Sequence, residues 1–205
     1  MIEIELKYRL SNAAAQQWLR RQRLGPYILL ALGSKQVTDT YLDTPDNVVA
    51  RAGYALRHRQ KEGKKLLQLK RLSPASHSLH RRQELHIFTE HPFMPGRWPD
   101  TPEARFLRQI IGDAPLQPLF TLQQQRHEAH ISQPNAFPFA LLSLDDVRWL
   151  AGKREARAWE LEIELLPSGH EAQLRTLATL LQDEPDLVPQ PITKYERGLA
   201  MLSRA

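Results

Sequence analysis

The chain has no cysteine among its 205 residues. That excludes disulfides, thiolate metal centres and cysteine nucleophiles together, and makes a cytoplasmic address the expectation. No apolar run is long enough to cross a bilayer, and the opening Met1-Ile2-Glu3-Ile4-Glu5 is too acidic and too regular for a signal peptide, so no membrane partner is expected. Neither G-x-x-x-x-G-K-[ST] nor G-x-G-x-x-G occurs, which argues against phosphate held at a helix N-terminus. Aromatics are only 7% of the chain. The four tryptophans, Trp18, Trp98, Trp149 and Trp159, read as packing groups rather than stacking platforms for bases. A net charge of +5 favours anionic partners in general but does not single out nucleic acid, and none is expected. Tandem repeats and low-complexity segments are also missing.

What is present fits a globular protein: 41% hydrophobic and 25% charged residues. The length suits a single domain over residues 1–205. The first segment alternates, with Ile2, Ile4, Leu6 and Tyr8 on one face of a strand and Glu3, Glu5, Lys7 and Arg9 on the other. Ser11 then caps a helix over about 12–24, closed by Gly25-Pro26. A strand over about 34–43 stops at Thr44-Pro45-Asp46-Asn47, and a hairpin over 54–60 and 65–71 turns at Lys61-Glu62-Gly63-Lys64. Further strands are expected over 81–88, 120–131, 139–150 and 158–166, with a proline-rich loop over 90–102. Helices are expected over 103–111, from the capping-box spacing Ser168 to Glu171 as far as Gln182, and over 194–202. This order predicts a mainly β (α+β) fold: a closed eight-stranded antiparallel barrel or tunnel with a few covering helices.

One wet face per strand is ordinary in antiparallel sheets. Here, however, the charged faces recur: Arg57 with Arg59, Gln68 with Lys70, Arg82 with Glu84 and His86, and Glu160 with Glu162 and Glu164. Three carboxylates at period two repel one another unless cations neutralise them. If the sheet closes with these faces inward, acids and bases meet in one lumen. Divalent metal and phosphate oxygens are their natural partners there.

The motifs also resemble a known family. Glu3-Ile4-Glu5-Leu6-Lys7 is similar to the E-x-E-x-K signature of the CYTH superfamily, the triphosphate tunnel metalloenzymes. In the same order follow Tyr41-Leu42-Asp43-Thr44-Pro45, Leu56-Arg57-His58-Arg59, Leu69-Lys70, Arg82-Gln83-Glu84, Arg126, Asp145, Glu162-Ile163-Glu164 and Lys194-Tyr195-Glu196-Arg197-Gly198. The likeness spans about residues 2–200. It implies an eight-stranded tunnel that hydrolyses or cyclises triphosphates. The two-domain bacterial inorganic triphosphatases look closest, so a CHAD-type helical partner domain is a possible companion.

Carried over residue by residue, the resemblance makes Lys7, Arg57, Arg59, Lys70, Arg126 and Lys194 the catalytic clamp on triphosphate or polyphosphate, with Arg82 as a further substrate-binding group. Glu3, Glu5, Glu162 and Glu164 become ligands for Mg2+ or Mn2+, with Glu160, Glu84 and Asp145 as additional candidates. One departure stands out. Some relatives carry a lysine two residues before the mid-chain arginine, paired with the tyrosine of the second strand; this chain has Gln124 there. The expected reaction is hydrolysis of inorganic triphosphate to pyrophosphate and phosphate. The alternatives are a class IV adenylyl cyclase, a thiamine triphosphatase, or a polyphosphate-binding module without catalysis. His127 and His130 are three apart, whereas a helical zinc motif needs four, so they are set aside.

Overall fold

The alternation at the N-terminus becomes strand β1 (Ile2–Leu10) in the computed structural model, which describes residues 1–203. Both of its edges are occupied. One pairs with β6 (Leu79–Phe88) through Glu3 and Arg82, the other with β9 (Arg154–Leu165) through Lys7 and Glu162. Those two ladders close the sheet. Running round from β6, the wall continues through β5 (Lys64–Arg71), β4 (Tyr54–Lys61), β3 (Tyr27–Asp43), β7 (Gln117–Ser132) and β8 (Ala140–Ala151) to β9, every pair antiparallel. The result is the closed eight-stranded barrel expected. Two short strands are added at its margin: β2 (Arg23–Leu24) on β3, and β10 (Val188–Pro189) on β1.

The apolar faces point outward and are covered by helices. Leu6, Tyr8, Leu142, Leu144, Leu161 and Ile163 pack under α4 (Glu171–Gln182) through its Leu174, Leu177 and Leu181, with Trp18 of α1 (Asn12–Trp18) alongside. On the opposite side Leu56, Leu67, Leu69 and Ile87 meet Ala104, Leu107 and Ile111 of α3 (Pro102–Ile111) and Val49 of α2 (Val48–Arg51). Each fully buried leucine or isoleucine contributes about 1.5–3 kcal/mol, so these two outer layers carry most of the stability. A third cluster lies on the inward faces at one end of the barrel. There Tyr41, Phe120, Leu122, Val147 and Trp149 close around Tyr195 of α5 (Lys194–Leu202).

Several boundaries differ from the sequence expectation. Helix α1 stops at Trp18, and Gly25, at φ +55°, turns a tight β2–β3 hairpin instead of ending a long helix. Strand β3 starts at Tyr27 rather than near 34 because it pairs with β7 beyond the barrel, across a bulge that places Leu32 out of register between Ala31 and Gly33. The turn after β3 is organised by Asp43, whose buried carboxylate accepts from the backbone N–H groups of Thr44, Val49 and Ala50. The capping box of α4 is made by His170 and Gln173, not by Ser168 and Glu171; the Ser168 hydroxyl donates to the Pro138 carbonyl.

Candidate active site

Because the outer faces are apolar, the opposite face of every strand lines the lumen, and the charged positions converge there. They surround a cavity of about 160 Å³. Lys7, Arg57, Arg59, Lys70, Arg82, Arg126 and Lys194 all line it, together with Glu3, Glu5, Glu84, Glu162 and Glu164. Tyr41 and Tyr195 form part of its wall toward the aromatic end.

The charges neutralise one another in a connected chain. Lys70 Nζ lies 2.8 Å from Glu3 Oε1 and 3.4 Å from Glu84 Oε2. Arg82 bridges Glu3 and Glu5. Lys7 Nζ follows, 3.3 Å from Glu5 and 2.8 Å from Glu162. Glu162 also accepts from Arg126 at 2.9 Å and from Lys194 at 3.0 Å. On the far wall Asp39 accepts from Arg57 at 3.1 Å, from Arg59 twice at 2.7 Å, and from Gln124 at 2.9 Å. Such pairing is what makes so much buried charge tolerable.

Ionisation follows the pairing. Burial alone would raise the Glu5 carboxyl, but Lys7 and Arg82 overrule it and lower it to about 2. Burial is likewise outweighed at Asp39 by Arg57 and Arg59, at Glu84 by Lys70 and the His86 contact, and at Glu162 by Lys194 and Lys7; all three lie well below the usual carboxylate range. Lys7 shows the converse, since Glu162 and Glu5 overcome the burial that would otherwise lower its ammonium. Glu164 is the exception. It has no ion pair among the described residues, and burial, reinforced by Glu3 and Glu5, pushes it up to about 7.

The arginines share a pattern. Arg59, Arg82 and Arg126 each give Nε and Nη2 to carboxylates and retain Nη1; Arg57 gives Nε to Gln68 and Nη1 to Asp39 and retains Nη2. Arg59, Arg82 and Arg126 are therefore anchored along one edge and Arg57 at two separate points, and each keeps one terminal nitrogen without an acceptor among the described residues. In a cavity that all four line, those nitrogens are donors for an anion.

Two of the expected metal ligands are placed differently. Asp145 and Glu160 do not line the cavity. Both oxygens of the fully buried Asp145 are taken by Arg126, one also by Lys194 at 2.6 Å. Glu160 pairs with Arg197 at 2.5 Å, and Arg197 in turn stacks 4.1 Å above the ring of Trp149. These two acids hold the cations of α5 and β7 from behind.

The sequence reading missed Asp39, the acid between Arg57 and Arg59, although it lies two residues before Tyr41 on the same face of β3. It also missed Glu128, which pairs with Lys35 and Lys61 near the β4–β5 turn. Gln124, noted only as a missing lysine, is part of the Asp39 cluster.

As the side chains stand, no three acidic or histidine groups among the described residues converge into a ready ligand cage. The donor chemistry nonetheless fits a hard divalent cation. Glu3, Glu5, Glu162 and Glu164 offer carboxylate oxygens to one cavity, and Glu164 makes no ion pair among the described residues.

No curated protein sequence matches the chain. Solved structures share its architecture. HpAC1 from Hippeastrum, a candidate adenylyl cyclase described as having a dominant triphosphatase activity, superposes with a TM-score of 0.68 at 22% identity, over 97% of this chain and 96% of its own. A candidate adenylate cyclase from Bacillus halodurans gives 0.64 at 21% identity over 95% and 96%. The PH1819 protein of Pyrococcus horikoshii gives 0.60 at 17% identity over 97% and 99%. A profile of the CYTH domain matches residues 1–199. With nearly the whole length covered and the motifs gathered in one lumen, the chain belongs to the CYTH domain family.

Proposed function

We propose that the chain is a metal-dependent hydrolase that cleaves inorganic triphosphate to pyrophosphate and phosphate. The observation that carries the reading is the convergence of Lys7, Arg57, Arg59, Lys70, Arg82, Arg126 and Lys194 on a single small cavity. A linear triphosphate presents several negative charges in a row and needs such a clamp along its length. Water attacks one terminal phosphorus, the P–O bond to the bridging oxygen breaks, and pyrophosphate leaves with that oxygen. The charge of this transition state spreads over phosphoryl oxygens, so fixed cations around the cavity lower the barrier mainly by position and electrostatics.

Glu3, Glu5, Glu162 and Glu164 would hold magnesium or manganese, whose contribution when bound is Lewis-acid neutralisation of phosphate oxygens. Lys7, between Glu5 and Glu162, and Lys194, on Glu162 and Asp145, can follow the substrate oxygens as the ion pairs rearrange. The triphosphatase activity described for the Hippeastrum relative agrees with hydrolysis rather than cyclisation.

The test is product analysis with tripolyphosphate, pyrophosphate, ATP and thiamine triphosphate, each with magnesium and with manganese. Fastest phosphate release from tripolyphosphate is expected. Cyclic AMP as the main product from ATP would establish a cyclase instead, and binding without release from any substrate would reduce the site to a polyphosphate-binding module.

A further inference from the structure

Asp39 does not line the cavity and has no exposed surface, yet it touches both arginines of β4. It lies directly opposite Arg59 in the β3–β4 register, while Tyr41 lies opposite Arg57. One carboxylate thus meets the Nε–Nη2 edge of Arg59 head-on and reaches Nη1 of Arg57 on the diagonal. Arg57 is fixed a second time by Gln68, which is itself held by Glu84 at 2.7 Å.

We infer that Asp39, itself held by Gln124, is the positioning residue that sets the aim of Arg57 and Arg59 on the substrate; this rests on the triphosphatase reading above. Two guanidiniums on alternate residues of one strand leave the same face about 6–7 Å apart and repel each other unless an anion lies between them. Asp39 supplies that anion without competing for the cavity. By occupying the forked edge of Arg59, it prevents that edge from turning to grip a phosphate in the ground state. What remains for the substrate is Nη1 of Arg59 and Nη2 of Arg57, held still.

Gln124 supports the assignment. An ionised carboxylate can only accept, so the amide must present Nε2 to Asp39. Its Oε1 then faces away, and that buried oxygen has no hydrogen-bond partner among the described residues. An unpaired buried carbonyl opposes folding, so this arrangement keeps a donor on Asp39 at a cost in stability. A purely structural role would not require that sacrifice.

The test compares Asp39→Asn, Gln124→Leu and, as a control, Arg175→Ala, whose side chain is 77% exposed on α4. Tripolyphosphate affinity is measured by calorimetry in chelator, turnover is measured with magnesium or manganese, and folding is followed by thermal denaturation. Asp39→Asn removes the negative charge and one acceptor from between the arginines, so it loosens their edges and leaves the net charge around the lumen one unit more positive. Its affinity should be unchanged or tighter while kcat falls about 30-fold or more. Gln124→Leu removes both the donor to Asp39 and the orphaned oxygen, so kcat should fall roughly 3- to 10-fold while the melting temperature holds or rises. The Leu variant keeps the inference testable if the Asn variant does not fold. Wild-type kcat in either folded variant overturns the inference, as does a parallel loss of affinity and kcat in Asp39→Asn. Absence of turnover in the wild type would instead remove the triphosphatase reading, and this inference with it.

Discussion

Gly198 and Phe120 are packed so closely that a β-carbon on the glycine would lie 2.2 Å from two carbons of the ring. This contact seats α5 in the aromatic end of the barrel, where Trp149 Nε1 donates to the Lys194 carbonyl at 3.0 Å and so fixes the residue that carries the ammonium into the lumen. Gly198→Ala should therefore cost about 1–3 kcal/mol of stability by overpacking. It should also lower kcat/KM on tripolyphosphate, because Lys194 moves with its helix. Thermal denaturation and kinetics on one preparation check both effects.

The arginines of β4 should be the most sensitive positions on the wall. Arg57→Ala and Arg59→Ala should each lose about 2–4 kcal/mol of transition-state stabilisation. Arg57→Lys should lose much of the same, since a compact ammonium cannot span Gln68, Asp39 and the cavity as the spread nitrogens of the guanidinium do. Arg175→Ala, exposed on α4, should leave kcat/KM unchanged. Arg108 makes a poor control because it donates to the carbonyls of Pro95 and Trp98 and holds the loop before α3. Equal losses in Arg175→Ala and the β4 variants would mean that the inward charges are not the catalytic ones.

A self-neutralised lumen makes metal and substrate depend on each other. Phosphate takes the cations more tightly when the carboxylates acquire another partner, and metal takes the carboxylates more tightly when the cations do. Titration calorimetry should show tripolyphosphate and metal each strengthening the other's binding, and thermal scans should rise most with both present. Chelator should abolish turnover, and Glu162→Gln should raise the metal concentration required for half-maximal activity at least tenfold or so.

Glu164 predicts a dependence on pH. Its carboxyl rises from the ordinary 4.5 to about 7 in the folded chain, so the folded state binds this proton more tightly than the unfolded state does. Stability from this group is complete below about 4.5 and is lost as pH rises toward 7. Glu5, lowered from 4.5 to about 2, acts oppositely: its contribution is complete above about 4.5 and is lost as pH falls toward 2. Metal affinity should rise between about pH 6 and 8 as Glu164 ionises, and Glu164→Gln should flatten both the affinity and the stability profiles across that interval.

Much of this was legible in the sequence because lumen and exterior alternate along each strand. Residues 2–10 and 158–165 show the period directly, and the seven cations placed from sequence all reach one cavity. What the sequence hid depends on distant partners. The Leu29-Leu30-Ala31-Leu32 run does not alternate cleanly, and its strand exists because β7 extends beside it and a bulge absorbs the mismatch. Asp39 sits between two threonines with no charged neighbour in sequence, and its meaning comes only from the arginines across the β4 ladder. Asp145 and Glu160 have the right period for the lumen but lie where α5 covers them, and no local pattern encodes that coverage.

Placing the greasy layers outside the wall and the charges within has an evolutionary consequence. Residue parity along a strand divides the chain into two nearly independent alphabets, one read by folding and one by the cargo. Glu3, Glu5 and Lys7 of β1 and Glu162 and Glu164 of β9 can be rewritten for a different anion while Leu6, Leu161 and Ile163 continue to dock the same helices. A barrel built this way can change its chemistry by drift within a fixed shell. A saturation library should accordingly separate, strand by strand, into variants that fail to accumulate and variants that accumulate but no longer turn over substrate.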